Sequence, residues 1–197
     1  MTEDPVYKHE TALVESSAIG MGTRIWAFTH VMAGATIGAH CKISDHCFVE
    51  AGAVIGNHVT LKNGVSVWDH VTLEDGVFVG PNATFTNDRR PRSGNPRWQA
   101  QKTVVGRGAS IGANATILCG ICIGAFAMIG AGAVVTGDVP DHALSYGNPA
   151  RARGWVCTCS ARLNFAGSAA TCGQCGRHYH QEAERVRVVE ANDTDGH

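Results

Sequence analysis

The chain has 197 residues, a formal net charge of −1 at pH 7 and 44% hydrophobic residues, room for one main domain and a small appendage. A near-neutral charge argues against nucleic acid as a partner, and no apolar run approaches the eighteen residues of a membrane-spanning helix. With no charged-then-apolar leader at Met1 to Glu10, the expectation is a cytoplasmic protein without membrane insertion.

Residues 1–12 read as an N-terminal extension. From Leu13 an aliphatic residue returns at every sixth place: Ile19, Ile25, Val31, Ile37, Ile43, Val49, Ile55, Leu61, Val67, Leu73 and Val79, with Phe85 closing the run. The beat resumes at Val105, Ile111, Ile117, Ile123, Ile129 and Val135. A period of six fits neither the 3.6 of a helix nor the 2 of a half-buried strand. It fits a solenoid in which each hexad is one short strand and a turn. Three hexads close a triangular coil, so the nineteen hexads build about six coils, stacked about 4.8 Å apart.

The other places of the hexad carry their own signals. Small residues at the fifth place (Ala35, Cys41, Cys47, Ala53, Val59) fill the interior beside the aliphatic one. The fourth place holds Gly at Gly22, Gly34, Gly52, Gly64, Gly76, Gly108, Gly120 and Gly132, and Asn at Asn82 and Asn114. That is a turn requiring positive φ. His40, His46, His58 and His70 share this place and read as outward turn residues. A histidine metal site would need a third imidazole converging on His40 and His58, and no convincing set is found.

The rhythm breaks once. Twenty residues separate Phe85 from Val105 where six would continue the coil, leaving an insertion of fourteen. Two prolines and four arginines in it favour a loop that projects from the scaffold and carries binding groups, or one that only latches a neighbouring subunit. Eleven of the twelve arginines lie after residue 88, so anionic ligands are expected near the later coils. Asn87 stands eighteen residues after Asp69, and Cys119 falls one coil further if the insertion replaces nothing. These three are expected to form a strip beside the loop. A carboxylate beside a carboxamide suits an incoming ammonium group.

The last third brings Cys157-Thr-Cys159, twelve residues, then Cys172-Gly-Gln-Cys175. Two close pairs around a short loop match a closed tetrahedral zinc site with a structural role, with free or redox-active thiols as the alternative. Residues 155–180 are then a zinc-ribbon-like module. Residues 181–197 are a polar tail expected to form a short helix and to be partly disordered.

The stretches Thr23–His30, Val67–Asp75, Phe85–Ser93, Gly130–Pro140 and Gly147–Ala150 resemble the nucleotide-linked 3-amino-sugar N-acetyltransferases, of the type acting on UDP-2-acetamido-3-amino-2,3-dideoxy-glucuronate. That group belongs to the hexapeptide-repeat acyltransferases. The resemblance covers about residues 13–155. It implies an all-β fold, a left-handed parallel β-helix over 13–154, and a homotrimer with active sites between subunits. It implies acetyl-CoA as co-substrate and transfer to the 3-amino group of a UDP- or dTDP-linked sugar. Asn87 would contact the amine with Asp69 nearby. The proton acceptor stays open among Asp69, His30, water and the departing CoA sulfur. Arg92, Asp88 and Trp26 would bind the sugar nucleotide. Gly130, Ala131, Gly132, Ala133, Asn148, Pro149 and Arg151 would line the CoA path. An O-acetyltransferase would need a histidine base by the loop, and the loop has none. A non-catalytic scaffold with a protein-binding ribbon would need neither Asp69 beside Asn87 nor the CoA-like stretch.

Overall fold

The computed structural model describes residues 4–189, and every regular element among them is a β-strand. Most strands are two residues long because a hexad gives its other four places to a turn. The coils have three faces. The first carries eight parallel strands: Tyr7–Lys8, Arg24–Ile25, Lys42–Ile43, Thr60–Leu61, Phe78–Val79, Ser110–Ile111, Met128–Ile129 and Ala143–Tyr146. The second runs Leu13–Val14, His30–Val31, Phe48–Val49, Ser66–Val67, Thr84–Phe85, Thr116–Ile117 and Val134–Val135. The third runs Thr36–Ile37, Val54–Ile55, Val71–Leu73, Thr103–Val105 and Cys122–Ile123, with single bridges from Ile19 and Val139 at its ends. Tyr7–Lys8 and Ala143–Tyr146 therefore add rungs outside the six coils expected from the hexads alone. The reason is that pairing there is satisfied by backbone, without the aliphatic beat.

Pairing runs in steps of eighteen, as Lys42 with Thr60 and Ile43 with Leu61 show. Each step places one aliphatic side chain directly over another. Ile25, Ile43, Leu61, Val79, Ile111 and Ile129 form one such column, all sealed from solvent, each contributing roughly 1.5–3 kcal/mol by burial. Cys41 and Cys47 sit among them. Their thiols donate to the carbonyls of Gly56 and Lys62, and burial pushes both up, Cys47 to about 11. They are protonated core fillers.

The three edges between the faces hold the turns. His40, His46, His58 and His70 all have φ between 56° and 62°, as do Asn82 and Asn114 at 56°. Phe28, Phe126 and His142 occupy the same place at positive φ, which the Gly, Asn and His pattern does not anticipate. An L-residue there costs roughly 1–2 kcal/mol. Ring stacking, worth about 0.5–1.5 kcal/mol, offsets it: Phe28 lies 5.0 Å from His46, His40 5.1 Å from His58, and Phe126 5.3 Å from His142.

Beyond the last coil, Arg151–Val156 turns back antiparallel onto Ala143–Tyr146 and pairs with Arg162–Leu163. A three-stranded antiparallel sheet follows: Ala169–Thr171, His178–Glu182 and Arg185–Val189. Over the described part of the expected tail, 181–189, strand replaces the expected short helix. Residues 185–189 alternate Arg and Val, and pairing with His178–Glu182 lets Val186 enter a small core with Leu163 and Tyr179. The rest of the expected tail, 190–197, lies outside the described residues.

Ile111→Ala should lose about 2–5 kcal/mol in denaturant melting. Asn114→Gly should be close to neutral while Asn114→Val costs roughly 1–2 kcal/mol. Equal effects of Gly and Val at 114 would contradict the left-handed turn.

Candidate active site

The inserted loop leaves from the edge between the second and third faces. Phe85 pairs with Ile117 and Leu73 with Val105, thirty-two residues apart instead of eighteen, so fourteen residues loop out and the coil beneath is intact. Both ends of the loop are pinned to one turn. The Trp68 indole N–H donates to the Phe85 carbonyl at 2.7 Å, and the Thr103 N–H to the His70 carbonyl at 3.0 Å. Asp69 stands between these anchors. Ser66 pairs with Thr84 in the ordinary step of eighteen, and the same step relates Asp69 to half-buried Asn87, three residues beyond that pair. Cys119 follows on the next rung. Its N–H donates to the Thr86 hydroxyl and its carbonyl accepts from Arg89 Nε at 3.1 Å, so its buried backbone braces the start of the loop. The rung order expected from the spacing, Asp69 then Asn87 then Cys119, agrees with the register of the neighbouring strands.

Asp69 is fully engaged. Its N–H donates to Glu50 Oε2 at 2.8 Å. Its carboxylate accepts from the His70 backbone N–H at 2.7 Å and from His70 Nδ1 at 2.8 Å. Gly52 lies directly beneath, and a β-carbon there would strike the carboxylate. His70 was expected to be a turn residue and is one, with φ 62°. Its carboxylate partner escaped the sequence reading, although the signal was present in the adjacent pair Asp69-His70.

Within the loop, Asp88 Oδ1 caps the Arg90 N–H and Asn95 Oδ1 caps the Arg97 N–H. Asp88, Arg89, Arg90, Asn95, Arg97 and Trp98 surround a hollow of about 430 Å³. Arg92 is exposed on the loop and donates to the Pro91 carbonyl. The hollow was missed because spacing says nothing about how a loop folds on itself.

Other expected residues lie elsewhere in the chain. His30 is two rungs below Asp69 on the second face, with Nε2 3.1 Å from Glu15 and its ring 5.4 Å from Phe48. Trp26 lies on the edge between the first and second faces, against Tyr7. Gly130, Ala131, Gly132 and Ala133 form the turn on that same edge at the last coils. The Gly130 N–H donates to the Ser145 carbonyl and the Val134 N–H to the Gly147 carbonyl, which stacks Asn148, Pro149 and Arg151 above them. Ala150, Arg151, Trp155, Val135 and Glu184 line a groove of about 320 Å³. One chain thus carries the two residue sets on different edges.

The four cysteines converge. All sulfurs of Cys157, Cys159, Cys172 and Cys175 lie within 4.8 Å of one another, with Cys157–Cys175 at 3.4 Å and Cys159–Cys172 at 3.6 Å. Tetrahedral zinc with about 2.3 Å bonds needs sulfurs about 3.8 Å apart, so the set fits. Burial alone would raise the Cys157 thiol. The Cys159 N–H, the Tyr179 hydroxyl and the neighbouring sulfurs outweigh it and bring it down to about 6. Tyr179 also joins the ribbon to the last coil, its ring 5.4 Å edge-on from His142.

Fold and site define a hexapeptide-repeat transferase, and the chain belongs to that family. Residues 16–51 and 52–87 match the model "Bacterial transferase hexapeptide (six repeats)", and 102–137 match "Hexapeptide repeat of succinyl-transferase"; the stretch between them is the inserted loop. Over 90% of the chain it is 51% identical to the dTDP-3-amino-3,6-dideoxy-alpha-D-galactopyranose 3-N-acetyltransferase of Aneurinibacillus thermoaerophilus, covering 92% of that protein. It is 44% identical to the bifunctional protein GlmU of Nitratidesulfovibrio vulgaris over 32% of the chain and 13% of GlmU. Among solved structures, the acetyltransferase domain of PglB from Neisseria gonorrhoeae, in complex with acetyl coenzyme A, superposes with a TM-score of 0.54 at 26% identity. That match covers 76% of this chain and 58%, less than two thirds, of the other.

His142 yields a pH prediction. Burial lowers its imidazole below the usual range, outweighing the bond from Nδ1 to the Val156 carbonyl. The unfolded chain binds the proton more readily, so stability should fall as pH drops below about 6.5. In His142→Phe, which keeps the stack, that part of the decline should vanish from melting curves taken across pH.

Proposed function

We propose that the chain is an acetyl-CoA-dependent N-acetyltransferase acting by direct transfer on the 3-amino group of a nucleotide-linked sugar. The observation that supports this best is Asn87 above Asp69 at the root of the inserted loop, in a chain half identical along nearly its whole length to a sugar 3-N-acetyltransferase. The Asn87 side-chain oxygen accepts from the amine and aims its lone pair, and the Asp69 charge favours an amine-bearing sugar at this edge. The neutral amine attacks the thioester carbonyl, a backbone N–H steadies the oxyanion, and CoA departs as thiolate. Holding the two reactants in line supplies much of the rate.

The hollow in the loop takes the nucleotide end. Arg89, Arg90 and Arg97 offer charge-assisted bonds to a diphosphate, with Asp88 holding Arg90 in place, and Trp98 offers a face to the base. Arg92 extends the basic rim. CoA runs along Gly130–Ala133 and Asn148–Pro149, where small residues let it approach the backbone, with Arg151 near its phosphates. This stretch and Trp26 lie on one edge and Asn87 on another. A homotrimer that sets the first edge of one copy against the second edge of the next completes the site, with His30 on the face between them. We assign zinc to Cys157, Cys159, Cys172 and Cys175 as a closed structural site that fixes the ribbon. Cysteines without disulfides fit a cytoplasmic location.

The test is thiol release from acetyl-CoA with dTDP- and UDP-linked 3-amino sugars beside their 4-amino and hydroxyl analogues. Turnover confined to 3-amino sugars is expected, and Asn87→Ala should lower kcat/KM about 10²–10³-fold. Turnover of the hydroxyl analogue, or none across the panel, contradicts the proposal. Elemental analysis should find one zinc per chain, and chelation should lower Tm; an unchanged Tm on stripping would refute the structural role.

A further inference from the structure

We infer that the C-terminal ribbon holds the 3′-phosphoadenosine end of CoA, the adenine against Trp155 and the 3′-phosphate on Arg185 and Arg187; this rests on the acetyl-CoA reading above. The matches to the family models end at residue 137, and the ribbon lies beyond them. A hollow of about 690 Å³, larger than the one in the inserted loop, opens beside the ribbon. Pro140 and Asp141 of the last coil form one side of it, and the hairpin joining His178–Glu182 to Arg185–Val189 forms the other. It adjoins the groove of about 320 Å³ that carries Arg151, since Pro140 and Glu184 wall both.

Strand register decides what faces the hollow. Residues paired across an antiparallel ladder share a face, as do alternate residues of one strand. His180 pairs with Arg187 and Glu182 with Arg185. Both guanidinium groups and the imidazole therefore belong to one face of the sheet, while Tyr179 and Val186 turn to the ribbon core. Among the described residues neither arginine has an ion-pair partner, although Glu182 stands opposite Arg185. His180 Nδ1 is the one buried side-chain nitrogen or oxygen among them with no hydrogen-bond partner. Two unpaired guanidinium groups beside an unsatisfied imidazole suit a phosphate, whose oxygens accept from all three. Asp141 also lines the hollow, and its Oδ1 is taken up by the Ala125 N–H.

The adjoining groove has a different chemistry. Val135, Val139, Pro140, Ala150 and Ala152 give it apolar walls, and Trp155, packed between the coil core and the ribbon core, lines it too. Such a slot suits a flat aromatic base, which gains from stacking and from buried area. Glu184, on the boundary between groove and hollow, accepts from the exocyclic amine of adenine. Arg151 lines the same groove and is placed for the diphosphate. A diphosphate, then a base, then a further phosphate is the order of groups in CoA. A nucleoside diphosphate without the 3′-phosphate would leave Arg185 and Arg187 without an anion.

The test is calorimetric binding of CoA and of 3′-dephospho-CoA to the full-length chain. The wild type should bind CoA about 10–100-fold more tightly than dephospho-CoA. The double substitution Arg185→Gln and Arg187→Gln should erase that margin, leaving dephospho-CoA binding and the melting temperature near wild type. Arg162→Gln, a ribbon arginine outside both hollows, should keep the margin. In turnover the loss should appear in KM for acetyl-CoA and not in kcat. Equal wild-type affinity for the two ligands, or a margin that survives the double substitution, overturns the assignment. If no amino sugar is acetylated while the margin appears and vanishes as expected, the acceptor reading falls and this seat stands.

Discussion

The parallel register of eighteen residues is the constraint on which the rest depends. Each coil must return its chain to within hydrogen-bonding distance of the coil below with the same side chains facing inward. That is possible only if three turns of fixed length use a left-handed residue each. Ile43 over Ile25 and Leu61 over Ile43 are packed because His40 and His58 accept positive φ. A scaffold built this way is stiff along its axis and indifferent to what projects from its edges. Fourteen extra residues after Phe85 leave Phe85–Ile117 and Leu73–Val105 in register.

That indifference is what makes an edge a good place for chemistry. Asp69 and His70 stand on a turn held from both sides: the Asp69 N–H donates to Glu50 and the His70 carbonyl accepts from Thr103. The loop presents Arg89, Arg90, Arg92 and Arg97, and its two ends are tied to the turn that carries Asp69. The C-terminal ribbon serves the other end of the molecule. His142 stacks on Phe126 below and meets Tyr179 above, and the Tyr179 hydroxyl donates to Cys157 Sγ at 3.0 Å. Four thiolates around one metal would thereby fasten the turns at Gly130 and Gly147, just below the ribbon.

Much of this was legible in the residues because a strict period leaves little freedom. The inward columns, the turn places, the cysteine fillers and the strip from Asp69 to Cys119 all follow from counting in sixes and eighteens. What counting cannot deliver is pairing that breaks the pattern. Tyr7–Lys8 joins the first face without an aliphatic beat, and Phe28 and Phe126 take a glycine's place because a ring lies next to them. Arg185–Val189 was read as helical because its partner strand, His178–Glu182, is defined only by the folded ribbon. The Asp69–His70 contact is between chain neighbours, and counting by columns passes over it.

The central claim is that the acceptor amine is held at the edge between the second and third faces, against Asn87 with Asp69 nearby. The crystal structure of the ternary complex with CoA and a dTDP-linked 3-amino sugar tests it most directly. The account places the amine nitrogen within about 2.6–3.2 Å of the Asn87 side-chain oxygen, on the edge that carries Asp69. An amine seated on another edge of the coil, away from both residues, would contradict it.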